Sequence, residues 1–138
     1  MTRRAGSEEG STLVLILGYV VLAIAVIVVC VCATDLHITQ KRLDALADAA
    51  ALAGANAFTV SAPGGVPRAE LSDHDVYTGA LLIVGASDAA AAVVSADALD
   101  GLSARVVLTT AWEPPLFSPF VPGGIRLEAV ATSRTAFR

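Results

Sequence analysis

An uncharged apolar stretch near the N-terminus constrains this chain more than any other feature. Residues 12–33, TLVLILGYVVLAIAVIVVCVCA, contain no charged side chain, and Thr12 and Tyr19 are the main polar residues. A helix rises about 1.5 Å per residue, so about 20 apolar residues cross a hydrocarbon core of about 30 Å. A helix also satisfies its own backbone hydrogen bonds, which lipid cannot do. The sequence therefore predicts a transmembrane helix over residues 12–34.

The helical pattern continues beyond the apolar stretch. Residues 35–57 contain no proline, have no glycine before Gly54, and are rich in alanine and leucine, which favour helices. Gly54 and Asn56 both tolerate the left-handed conformation of a helix C-cap. We therefore expect one helix from about residue 13 to residue 57, with its first half in lipid and its second half, residues 35–57, in water.

This second half carries two different faces. Lys41, Asp44 and Asp48 fall on one side and predict a solvated face. Spacings of three and four residues create an apolar stripe on another side, made of Leu43, Leu46, Ala47, Ala50 and Ala53. We interpret the stripe as a helix-packing face for assembly with other subunits. The alternative is that the stripe packs against the C-terminal part of the same chain.

The orientation of the apolar stretch is predicted from the positive charges on its two sides together with the length of the chain that follows it. Residues 1–11 are short and polar and include Arg3 and Arg4, whereas Lys41 and Arg42 follow the stretch. Positive charge favours the cytoplasmic side, and the two pairs nearly balance, but Arg3 and Arg4 lie near the N-terminal tip and a domain-sized tail follows the helix. We therefore expect a cytoplasmic N-terminus and an extracytoplasmic C-terminal domain.

The apolar stretch has a second interpretation as a removable signal peptide. Residues 31–33, VCA, could form a small-residue cleavage site after Ala33. The apolar core of a signal peptide has about 7–15 residues, and the stretch here is longer. Its length therefore favours retention as a membrane anchor.

The remaining residues, 58–138, begin with signals for a linker and a short helix. Residues 59–67 are rich in proline and glycine, as is typical of a linker. Ser72 followed by Asp75 is typical of a helix N-cap with a short capping box. The sequence therefore predicts a helix over residues 73–84 that ends at Gly85.

Strand signals follow this helix. Residues 91–99 and 103–113 flank Asp100-Gly101, a pair that supplies the positive φ angles of tight hairpin turns. A third strand starts at Ile125, from which apolar and polar residues alternate. The predicted fold class is therefore α+β, with a long N-terminal helix, a short helix and a three-stranded antiparallel sheet. The predicted domains are residues 1–11, 12–34, 35–57 and 58–138.

Residues with catalytic chemistry are scarce. Cys30 and Cys32 are two apart on a helix, point to different sides and cannot bridge each other. His74 lies at the start of the predicted short helix, where capping and solvation explain it and its acidic neighbours. The sequence has no phosphate-binding glycine loop, zinc-type spacing or nucleophile elbow, and a net charge of −4 does not favour nucleic acid. We expect no enzyme activity, no cofactor or metal, and no nucleic-acid or small-molecule partner.

Aromatic residues are concentrated late in the chain. We expect Trp112 to fill the small core. Phe117 and Phe120 instead lie in an apolar, proline-bounded loop over residues 116–121. An exposed apolar loop of this kind predicts contact with a membrane surface or with a partner subunit.

The membrane helix and the alanine-rich segment after it resemble a known family. Residues 40–43, QKRL, and residues 47–55, ADAAALAGA, are similar to the segment that follows the membrane helix in TadE/TadG-like proteins of tight-adherence (Flp) pili. The resemblance covers about the first 57 residues. The family motif, "aaDaAALAgA", is matched at Asp48, Ala51, Leu52 and Gly54.

The resemblance implies a minor pilin or pilus-assembly accessory anchored in the inner membrane, with pilin-like subunits as partners and its C-terminal domain outside. Pilin-like members also have a leader cut after a glycine, with glutamate at the fifth mature position. Cutting after Gly6 or Gly10 places Ser11 or Leu15 there, so the leader departs from that pattern. The alternatives from other classes are a membrane-tethered extracellular binding domain and, more remotely, an enzyme released after Ala33.

Overall fold

The computed structural model describes residues 8–61, 63–65, 68–120 and 122–134, and the chain forms two compact units, Met1–Asp35 and Leu36–Arg138. The first unit is described from residue 8 onward. The helices and strands are α1 (Glu8–Asn56), β1 (Thr59–Ser61), β2 (Arg68–Glu70), α2 (Asp73–Ala86), β3 (Ala91–Ala98), β4 (Ser103–Trp112) and β5 (Ile125–Arg134). The α+β fold class predicted from the sequence is confirmed.

Helix α1 is continuous, as the sequence predicts, over 49 residues. It begins at Glu8, before the predicted start at residue 13, and it ends at Asn56, beside the predicted end. At its C-terminal end the amide of Ala57 donates to the carbonyl of Gly54 at 3.2 Å. This bond tightens the last turn and satisfies a carbonyl that has no partner further along the helix.

The three long strands form an antiparallel sheet in the order β3-β4-β5. Strand β4 lies in the centre, where Val106 pairs with Ala96 on one side and with Ala131 on the other. The register between β3 and β4 shifts between Val93 and Ser95, which leaves Val94 as an exposed bulge. The alternation of side chains does not reveal this bulge, because it interrupts an otherwise regular pattern by one residue.

The hairpin turn between β3 and β4 is wider than the predicted tight turn. Gly101 has a φ of +70°, but Asp100 does not have a positive φ, and the amide of Leu99 donates to the carbonyl of Ser103 at 2.9 Å. The Asp100 carboxylate closes the turn by accepting from the amides of Leu102 and Ser103 at 3.0 and 2.6 Å. These hydrogen bonds, and then the nearby Arg134 guanidinium, lower the pKa of Asp100.

The segment predicted as a linker, residues 59–67, is partly a second, smaller hairpin. Strand β1 pairs antiparallel with β2, with Val60 opposite Ala69. Gly64 and Gly65, at φ angles of +79° and +85°, lie between the two strands. The proline and glycine content that suggests a linker therefore marks a turn. Residues 62, 66 and 67 lie outside the described residues.

Helix α2 begins at the predicted N-cap. The Asp75 amide donates to the Ser72 hydroxyl oxygen at 3.3 Å, and the Ser72 hydroxyl donates to the Asp75 carboxylate at 2.6 Å. The helix continues one residue past Gly85, and Ser87 then donates its amide and its hydroxyl to the carbonyl of Val84 at 3.2 and 2.8 Å. These bonds satisfy helix-end groups that otherwise need water.

One core lies in the second unit, between one face of the sheet and both α2 and the part of α1 after Leu36. Val76 of α2 and Val106 and Leu108 of β4 are its largest fully buried side chains. Alanine makes up most of the remaining core. The buried members of the whole core are Leu43, Ala47, Ala50, Ala51, Ala55, Leu71, Val76, Ala80, Ala96, Ala104, Val106, Leu108, Ala129 and Ala131.

The end of α1 and the first half of α2 approach each other closely through two glycines. A Cβ atom on Gly79 would lie 3.1 Å from the backbone of Ala53 and from the Cα of Gly54. A Cβ on Gly54 would lie 2.9 Å from a methyl group of Val76. The two helices can therefore pack at this distance only with glycine at position 79, since backbone atoms have no rotamer by which to move away.

Replacing Gly79 by alanine should destabilise the second unit, and the same change at Gly85 serves as the control. Both substitutions improve helix propensity, but a Cβ on Gly85 would meet no atom of another element within 4 Å among the described residues. We expect Gly79→Ala to be less stable than Gly85→Ala by about 1–3 kcal/mol, because overpacking costs that much. Thermal unfolding of the full chain in detergent micelles measures the difference. Equal midpoints would contradict the close approach of the helices.

Candidate functional site

The N-terminal half of α1 exposes apolar side chains around its whole circumference. Residues 10–27 are all exposed, and Leu13, Leu17 and Ile24 are among the largest of them. Within the described residues, the structure has one helix long and apolar enough to cross a membrane, and α1 provides it. An apolar surface of this extent requires lipid or other protein around it.

The predicted assembly stripe on the second half of α1 lies mostly inside the fold of the second unit. Leu43 is 3% exposed, and Ala47 and Ala50 are fully buried in the core shared with the sheet and α2. Leu46 and Ala53 are half-buried at its margin. The part of the stripe that a partner could reach is therefore small, and its role in assembly stays a prediction.

The family-motif residues divide between the core and the surface. Ala51 and Gly54 are buried, and Gly54 lies against α2. Asp48 and Leu52 are exposed, and Leu52 keeps 54% of its surface in solvent. The motif therefore supplies small residues to the core on one side of the helix and leaves an acidic and an apolar side chain outside.

The polar side of this helix segment makes one contact that the sequence does not reveal. The Gln40 side-chain amide donates to the Asp44 carboxylate at 2.9 Å and to the backbone carbonyl of Glu128 at 3.1 Å. The second bond joins α1 to β5, an edge strand of the sheet. By contrast, the ion pair between Lys41 and Asp44, at 3.5 Å, is exposed and contributes little. A glutamine among charged residues gives no signal of this role, because the strand it meets is 88 residues away in sequence.

The predicted apolar loop is exposed. Phe120 is 80% exposed, and Leu116 and Phe117 are each about half exposed. Trp112, predicted to lie in the core, is buried at the end of β4, although it lies outside the main cluster of core residues. Val121 lies outside the described residues. The loop thus presents two phenylalanines on the surface of the second unit.

The acidic residues on either side of His74 make hydrogen bonds that stabilise the fold. Asp75 caps α2 with Ser72, and the carboxylate of Asp73 accepts from the amide of Ala98 at 2.6 Å. His74 itself is exposed, and its carbonyl accepts from the hydroxyl of the threonine one turn further along the helix at 2.8 Å. Among the described residues, no group of three His, Cys, Asp or Glu side chains is placed to hold a metal ion.

Comparison with known proteins bears on the helix just described. Residues 10–57 match the family described as "Putative Flp pilus-assembly TadE/G-like". Neither the curated proteins nor the solved structures gave a match. The resemblance to TadE/TadG-like proteins predicted from the sequence is therefore confirmed over this segment, which includes both the apolar half of α1 and its buried continuation. The match and the long apolar helix together support a membrane protein related to pilus assembly.

Proposed function

We propose that this protein is a membrane-anchored minor pilin or pilus-assembly accessory protein of a tight-adherence (Flp-type) pilus system. The observation that carries the proposal is the coincidence of the family match, residues 10–57, with a helix whose first half is apolar on all sides. The protein acts by helix packing and subunit contacts, without catalysis. Its N-terminus is cytoplasmic and its C-terminal unit extracytoplasmic.

Helix packing in lipid depends on close approach, since lipid tails are as apolar as the side chains they would replace. Gly18 leaves a shallow groove on the surface of α1, lined by Val14, Leu15, Tyr19 and Leu22 among others. A Cβ on Gly18 would meet no atom of another described element within 4 Å. This side of α1 is therefore the surface on which we place a partner helix.

The second unit limits where other contacts can form. Because Leu43, Ala47 and Ala50 hold its core together, a partner that displaced them would open that core. Subunit contacts outside the membrane are therefore assigned to the margin of the stripe, at Leu46 and Ala53.

A membrane-tethered extracellular binding domain, unrelated to pili, is the second candidate. A shallow depression on the sheet, lined by Thr109, Thr110, Gly124 and Arg126 among others, favours it. Polar side chains and one guanidinium could bind a small polar or anionic ligand there. Fractionation of native cells separates the two candidates, because only the first requires pilin-like partners.

Charges placed in the apolar half of α1 should release the protein from membranes. Each aspartate at the centre of a membrane helix costs about 2.5–3.5 kcal/mol, so Val20→Asp combined with Ile27→Asp costs about 5–7 kcal/mol. We expect the double variant to appear in the soluble fraction after alkaline extraction of membranes, while the wild type stays in the pellet. Leu99→Asp, on the exposed hairpin turn, is the control and should stay with the wild type. Retention of the double variant would contradict anchoring by α1.

Mechanical shearing of native cells should recover the protein together with pilin-like subunits. We expect it either in the released filaments, as a minor pilin, or in washed membranes in complex with such subunits, as an assembly factor. Mass spectrometry of each fraction distinguishes a processed from a full-length chain. A protein that stays in membranes without any pilin-like partner would contradict the pilus proposal and favour the tethered binding domain.

A bulky side chain at Gly18 should weaken association with partner helices. Gly18→Leu fills the groove on α1, so we expect recovery of pilin-like subunits after mild detergent extraction to fall by about 5- to 30-fold, equivalent to about 1–2 kcal/mol. Ala23→Leu is the matched control, because it adds similar bulk on a different side of the helix. Equal recovery with both variants would show that the groove is not the contact surface.

A further inference from the structure

The exposed loop from Leu116 to Phe120 is ordered by its own backbone. The amide of Phe117 donates to the carbonyl of Pro114 at 3.2 Å, and the amide of Phe120 donates to the carbonyl of Phe117 at 2.8 Å. Ser118–Phe120 form a turn of 3₁₀ helix. The loop therefore presents its apolar side chains in a fixed arrangement, which lowers the entropic cost of binding.

Contacts within the second unit give the direction of β5 relative to the part of α1 in this unit. Gln40, near the start of that part, bonds to Glu128 of β5. Gly54, near its end, lies against Val76 at the N-terminal end of α2. This end of α2 lies at the C-terminal end of β5. The carboxylate of Asp73 accepts from the amide of Ala98 at the end of β3, and the end of β3 is linked through the start of β4 to the end of β5. Strand β5 therefore runs in the same direction as α1.

The loop lies at the end of the second unit where its chain begins. Trp112 pairs with Ile125, which precedes Glu128 by three residues, or about 10 Å of strand, on the side away from Gly54. The loop joins these two paired residues and so lies beyond them. Residue 36, the first of this unit, precedes Gln40 by four residues, or about 6 Å of helix, on the same side. The loop thus lies at the end of the unit that follows the apolar stretch, which ends at Ala33.

We propose that Leu116, Phe117 and Phe120 insert into the boundary between headgroups and acyl chains of the membrane that α1 spans. The inference rests on membrane anchoring by α1 and is independent of any role in a pilus. Exposed apolar side chains near a membrane surface gain free energy when lipid removes them from water. The loop is thereby a second point of attachment for the second unit.

Charge does not explain the attachment. Arg126, Glu113 and Glu128 flank the loop, so positive and negative charges are mixed at this end of the sheet. An apolar contact is insensitive to salt, whereas attraction to anionic lipid weakens as salt rises. The proposal therefore requires insertion into zwitterionic bilayers at high salt.

The test uses the full chain with Cys30→Ala and Cys32→Ala, so that one introduced cysteine carries an environment-sensitive fluorophore. Phe120→Cys places it on the loop, and Phe117→Cys provides a second site. Leu99→Cys is the control, because Leu99 is 57% exposed at the opposite end of the sheet. The labelled proteins are reconstituted into phosphatidylcholine vesicles, and flotation confirms that they are anchored.

We expect quenching by aqueous iodide at position 120 to be at least several-fold weaker than at position 99, and quenching by nitroxide-labelled lipid to be stronger. Neither result should change at high salt or with the protein-to-lipid ratio. Equal iodide quenching at positions 99 and 120 overturns the inference, provided that the protein floats. Protection that appears only at high protein-to-lipid ratio also overturns it, because a second protein copy then covers the loop. A protein that fails to float overturns the anchoring proposal itself.

Discussion

Apolar side chains surround the first half of α1, whereas its second half has one apolar face and one polar face. One continuous helix therefore has to be stable in two environments, an apolar one along its first half and the water-exposed second unit along its second half. In lipid the helix needs no polar surface because its backbone bonds are internal. In the second unit the apolar face of the same helix has to be shielded from water, and the sheet and α2 cover it. The remaining elements of the chain can be understood as the cover for this one face.

Small residues make that cover possible. Alanine dominates where α1, α2 and the sheet meet, and Gly54 and Gly79 allow two backbones to approach to van der Waals distance. The largest fully buried side chains, Val76, Val106 and Leu108, lie where the two helices and the sheet meet. A segment that looks like a simple helix former in the sequence is therefore also a packing surface. The matched family segment ends at residue 57, where this surface ends.

Local patterns in the sequence predict the elements better than their contacts. The continuity of α1, the cap at Ser72 and the three strands of the sheet depend on such patterns, and the structure confirms each of these features, although α1 begins five residues before its predicted start. The bulge at Val94 and the bond from Gln40 to Glu128 depend on partners distant in sequence, for which one chain carries no signal. The stripe over residues 43–53 shows the same limit, because an apolar helix face does not specify whether its partner is the same chain or another.

The second unit depends on the part of α1 that follows the apolar stretch. Residues 36–56 form one wall of its core, so a fragment beginning at residue 58 lacks Leu43, Ala47 and Ala50 and exposes the apolar face of its sheet. A cut near Asp35 leaves that wall in place. Proteolysis therefore releases an intact second unit only if it cuts within the few residues between the apolar stretch and Leu43, and a cut further along α1 releases a chain prone to aggregation.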